Sequence, residues 1–128
     1  MQSPQLQIYN CVFARLQGLG VDVISFKEMK EHASYPFFVV SEVNQTKSLD
    51  TFDSFKGYPN IKVDLWSTSD DRGKHDELFQ QVDNILCYLG DFDDFQTQLN
   101  DITTSTMEDD TTNQMLIHSS FIAEYKAY

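Results

Sequence analysis

Three histidines, His32, His75 and His118, are the first residues here that could move protons or hold a metal. Their spacing serves neither purpose. A metal site needs ligands brought to one face of a helix or strand, as in HExxH or HxH, and the chain contains no such pair and no Cys/His cluster. His75 stands beside Asp76 at the start of an expected helix and reads as a solvated pair. It would be half of an acid–base site only if another carboxylate came close in space. His118 falls in an expected strand and reads as an outward position. A serine nucleophile on a sharp elbow needs GxSxG, which is absent. A phosphate-cradling loop needs clustered glycines, and only Gly73 lies near a strand–helix junction. The pairs Asp93-Asp94 and Asp109-Asp110 lack the alternation and closing Glu of a calcium loop. These residues predict no catalysis, no cofactor and no dedicated metal site.

Aromatic residues in a polar loop are the stronger signal. Leu49, Phe52, Phe55 and Tyr58, with Lys56 among them, sit in the stretch 44–60 between two expected strands, too long for a tight hairpin. Apolar anchors on such a loop predict a contact that buries them, and the competing reading is that they fold back onto their own domain. Asp93 and Asp94 join them as candidate interface residues. Trp66 reads as core or as interface.

Charge narrows the partners. The net charge is -11, from 20 acids against 9 bases. Asp91, Asp93, Asp94, Asp101, Glu108, Asp109 and Asp110 share the stretch 91–110 with no Lys or Arg. Such a surface opposes binding along a phosphate backbone. Solubility is the plain reading of the acidity, and a basic protein partner is the functional one. Cys11 and Cys87 fall in apolar helical patterns without CxxC spacing and read as free thiols in a reducing compartment. MQSPQLQ shows no secretory pattern and no run is long enough to span a membrane, so a soluble protein made inside the cell is expected.

The elements that must position these residues follow from periodicity. At 128 residues and 41% hydrophobic, the chain suits one domain, 1–128, with one core. Ser3-Pro4 opens a helix whose expected stripe is Leu6, Tyr9, Phe13 and Leu16 with Val12 beside them, stopped by Gly18 and Gly20. VDVISF at 21–26 suits a short edge strand, and 27–34 an irregular connector. Tyr35-Pro36 leads into FFVVSEV, apolar on both faces and so a central or doubly covered strand. IKVDLW at 61–66 alternates. A helix from Asp70 to near Cys87 has the expected stripe Leu78, Val82, Ile85 and Leu89, with Phe79 and Leu86 adjoining and Gly90 ending it. Strands at 96–106 and 114–126 flank the polar turn MEDDTTN, the last pointing Met115, Ile117, Phe121, Ala123 and Tyr125 one way. The expectation is an α+β fold, order α-β-β-α-β-β, with an antiparallel sheet of about four strands and two helices packed on it.

YPFFVVSEV, followed by LDTFDSFKGYPNIKVDLWSTSDDRGKHDELFQQVDNIL, resembles the tail-terminator (tail-completion) proteins of long, non-contractile-tailed bacteriophages, closest to those from phages of Gram-positive bacteria. Tyr35-Pro36-Phe37, Phe55-Lys56-Gly57, Asp64-Leu65-Trp66 and the helix from Asp70 match the family's parts in order and spacing, over roughly residues 5–89. The resemblance implies a tail-terminator-like fold and a non-enzymatic virion protein, assembled in the host cytoplasm as a homo-oligomeric ring, usually a hexamer. Such a ring caps the tail tube, stops addition of the major tail tube protein, and offers its other face to the head–tail connector protein. DNA passes through the lumen without specific binding, and no membrane is involved. The alternatives are a head-side connector-completion protein, a small acidic protein-binding module and, with least support from the residues, a hydrolase.

Overall fold

The computed structural model describes residues 3–25, 34–42, 57–110 and 114–128. The chain opens with α1 (Pro4–Gln17), whose first turn is capped by the Ser3 hydroxyl accepting from the Leu6 amide at 3.2 Å. Ile8, Val12 and Leu16 are its fully buried positions, whereas Leu6 is 40% exposed and Tyr9 and Phe13 are half-buried. The expected stripe is therefore rotated about the helix axis. Gln5 explains the rotation: its amide accepts from the Asn60 backbone N–H at 2.9 Å and donates back to the Asn60 carbonyl, turning this polar residue inward.

Strands β1 (Asp22–Ser25), β2 (Phe37–Ser41) and β3 (Asn60–Thr68) follow. Next come a short 3-10 turn, α2 (Arg72–Cys87), β4 (Thr97–Asp109) and β5 (Leu116–Ala127). The sheet order is β1-β2-β3-β5-β4. The fold is α+β, with two helices on an open five-stranded mixed sheet in the order α-β-β-β-α-β-β. This corrects the expectation of about four antiparallel strands: β1 completes the sheet at one edge and runs parallel to β2. Its placement at an edge agrees with the sequence reading. β4 runs three residues into the stretch read as a turn, because β5 pairs with it as far as Asp109↔Leu116.

Alternation sorts the sheet's two faces. Ile61, Val63 and Leu65 of β3 and Phe121, Ala123 and Tyr125 of β5 join Phe38 and Val40 of β2 under the helices, against Ile8, Val12, Leu16, Leu78, Val82 and Leu86. All four apolar residues of β2 from Phe37 to Val40 are buried, as expected of a strand with a neighbour on each side. Ile85 is half-buried, and His75 takes the fourth buried place on α2 with Leu78, Val82 and Leu86.

Two tethers fix the helices. The Tyr125 hydroxyl donates to the Leu86 carbonyl, and burial drives this phenol's pKa above its ordinary value. The Arg15 guanidinium donates to the Tyr88 and Leu89 carbonyls, each at 3.1 Å. These carbonyls follow the end of α2, where helical partners run out and a cation suits the dipole. Arg15→Ala lowers stability by about 1–2 kcal/mol, the scale of two partly exposed charge-assisted bonds, and Arg15→Lys recovers only part of it. Chemical denaturation checks this, and an unchanged midpoint would mean that water replaces both bonds.

Candidate functional site

Two polar constellations stand out, one on each face of the sheet. On the face away from the helices, Asp64 and Trp66 of β3 lie two residues apart and so point the same way. The β3–β5 register puts His118 directly opposite Trp66. The His118 Nε2 is 2.7 Å from Asp64 Oδ1, and its ring stacks on the Trp66 indole with centroids 3.9 Å apart and planes 4° from parallel. Lys62 stands 4.0 Å from the other Asp64 oxygen, a loose and partly exposed pair. Phe37 sits opposite Trp66 across β2, and the Tyr35 ring lies 5.2 Å from that of Phe37. His118 does face away from the helices, but it is a half-buried member of a carboxylate–imidazole–indole cluster. Trp66 belongs to this face too and not to the core beneath the helices. Among the described residues no hydroxyl or thiol is hydrogen-bonded to His118, whose Nε2 is held by Asp64.

The second constellation corrects the reading of His75 as a solvated residue. His75 is buried, with Nδ1 2.8 Å from the Ser67 hydroxyl and Nε2 2.7 Å from that of Ser119. Ser119 is also 2.8 Å from the Thr106 hydroxyl. A neutral imidazole can donate to one serine and accept from the other, so both ring nitrogens are satisfied. Ser67 and Ser119 are 1% and 0% exposed. The chain therefore crosslinks α2, β3, β5 and β4 and serves packing. Among the described residues no group of three or more His, Cys, Asp or Glu side chains could hold a metal.

Burial holds the His75 pKa below the ordinary 6.5, with nearby His118 pushing the same way and Asp76 opposing. The unfolded chain thus binds the proton more readily. Stability is full above about pH 6.5, falls as pH drops below that value, and levels off below the folded-state pKa. Denaturation midpoints measured between pH 7 and pH 5, above the carboxylate range, are expected to decline in the wild type. They decline less in His75→Gln; equal slopes would assign the proton elsewhere.

The sequence-derived interface residues divide. Leu49, Phe52, Phe55 and Lys56 lie outside the described residues. Tyr58 is half-buried, beside Gly57, which adopts φ 105° and bridges Ala127 at the end of β5. Asp93 and Asp94 are exposed in the turn before β4, with Gln7 of α1 donating to Asp94 at 3.5 Å. The pairing of Gln96 with Tyr128 keeps that turn at the same end of the sheet as Tyr58. Trp66 and His118 lie toward the other end. No protein-family model matches the chain, and a search of curated proteins finds no matching relative.

Proposed function

We propose that this protein is a structural component of a bacteriophage neck, a tail terminator that closes into a ring, usually six-membered, at the head-proximal end of the tail tube. The observation that carries the reading is where its resemblance motifs sit. Tyr35-Pro36-Phe37 and Asp64-Leu65-Trp66 come from separate strands, yet Phe37 and Trp66 are paired across β2 and β3. With His118 they form one surface on the face that the helices leave free. A protein whose work is templated self-association needs such surfaces and no reactive group. Ring closure requires two different patches that meet head to tail. The Tyr58–Asp93–Asp94 end and the Trp66–His118 face are separate patches of this kind. No helix of the described residues is long and apolar enough to cross a membrane.

The acidic surface suits a wall past which DNA slides, since like charge discourages retention. The carboxylates bracket β4: Asp91, Asp93 and Asp94 precede it, and Glu108 and Asp109 close it. Replacing Asp93, Asp94, Asp109 and Asp110 with Asn slows genome passage if they line the channel, and normal passage would remove this role.

The deciding experiment is add-back. A phage lacking the gene is imaged by negative-stain microscopy with and without purified protein. Overlong tubes beside DNA-filled, tailless heads, corrected by the protein, support a terminator. Normal-length tails that fail to join heads move the role to the connector side, and intact phage would end the neck reading. Trp66→Ala is expected to keep its circular dichroism spectrum and lose most of its add-back activity; full rescue by this variant would remove the Trp66 face from the assembly contact.

A further inference from the structure

We propose that the outer edge of β4, with the pocket beside it, is a docking site for an extended, basic segment of a partner protein. This stands apart from the ring reading. β4 ends the sheet, and among the described residues no strand pairs with its second side. A terminal strand carries outward-facing N–H and C=O groups that can template another strand unless Lys, Pro or a bulge guards them. From Ile102 to Met107 the sequence Ile-Thr-Thr-Ser-Thr-Met has no such guard. The one break in β4 pairing lies earlier, between Leu99 and Asp101. Residues 103–108 are all exposed.

A pocket gives this edge selectivity. A hollow of about 450 Å³ separates β4 from the first turns of α2. Phe79 and Ile117 supply apolar lining, Thr106 and Glu108 come from β4, and Arg72 and Asp76 from α2. Thr104, Thr106 and Glu108 pair with Phe121, Ser119 and Ile117, so they share the helix-bearing face. A strand laid antiparallel along β4 would place every second side chain on that same face, beside the hollow. Main-chain bonds would then supply affinity and the pocket would choose the side chain.

Charge selects the occupant. Glu108 has no ion pair among the described residues, and Asp76 accepts only a neutral bond, from Gln80 at 3.1 Å. Of the charged side chains that line the pocket, the carboxylates Asp76 and Glu108 outnumber Arg72. A second copy of this chain, at net charge -11, is the poorer match. A segment alternating aliphatic residues with Lys or Arg satisfies the ladder, the apolar lining and the carboxylates together.

The test uses the isotope-labelled full chain and a blocked peptide alternating valine with lysine. Amide shifts confined to 102–109 and 72–79 support the site. A counterpart with glutamate for lysine, and one with a central proline, should fail to bind. Glu108→Lys should weaken the lysine peptide on the order of tenfold and let the glutamate peptide bind. Absent shifts, shifts elsewhere, or equal binding of the lysine and glutamate peptides would overturn the proposal. So would concentration-dependent broadening of β4 amides without peptide, which would make a second copy the occupant.

Discussion

Phe121→Ala lowers the stability of the folded protein by about 3–5 kcal/mol, the cost of emptying a filled core position. Phe121 is 0% exposed at the centre of β5, with its ring 4.6 Å from that of Phe79 on α2. Across the sheet it faces Val63 on one side and Thr104 on the other. The lost ring leaves a void between helix and sheet that rigid neighbouring strands fill poorly. A urea midpoint shift at unchanged slope is the expected readout. Phe121→Leu, which keeps most of the volume, costs much less. A loss below about 1 kcal/mol for the alanine variant would mean that α2 collapses into the space, contrary to the pattern for filled cores.

His75→Ala is expected to cost about 2–4 kcal/mol, from lost packing plus the buried Ser67 hydroxyl left without its bond. Ser119 keeps Thr106 as a partner, but Ser67 loses the imidazole that satisfied it. Polar chains of this kind stabilise only when every member is bonded. Hence a triple variant, His75→Leu with Ser67→Ala and Ser119→Ala, recovers much of the loss despite removing more atoms. If the triple variant were no more stable than His75→Ala, orphaned hydroxyls would not be the cause.

Local signals located most elements because their chemistry is local. Ser3-Pro4 starts α1, Gly18 follows its last residue, and the double-faced apolar run of Phe37–Val40 marked a strand covered on both sides. What escaped depends on partners far along the chain. Ile8-Val12-Leu16 and Leu6-Tyr9-Phe13 both satisfy helical spacing, and the choice is made by Gln5 gripping the backbone of Asn60. His75 was hidden among Asp70, Asp71, Asp76 and Glu77, a setting that ordinarily means solvent. Its burial depends on Ser67 and Ser119 meeting it from two strands. Asp64 and Trp66 share a face by parity alone, which strand alternation discloses. Their partner His118 emerges only from the β3–β5 register, which no single chain segment encodes.

That register also sets an order of events during synthesis. β3 and β5 are paired over nine positions although α2 and β4 lie between them in the chain. A growing polypeptide that has released only α1 through β3 holds β3 with one flank bare. β4 and β5, adjacent in the chain, can zip locally, but the centre of the sheet must wait for β5 to emerge. Long-range pairing of this kind slows folding and prolongs exposure of an unpaired strand. The emerging chain is therefore most prone to aggregate just before its final strand arrives, and removing β5 would strand it in that state.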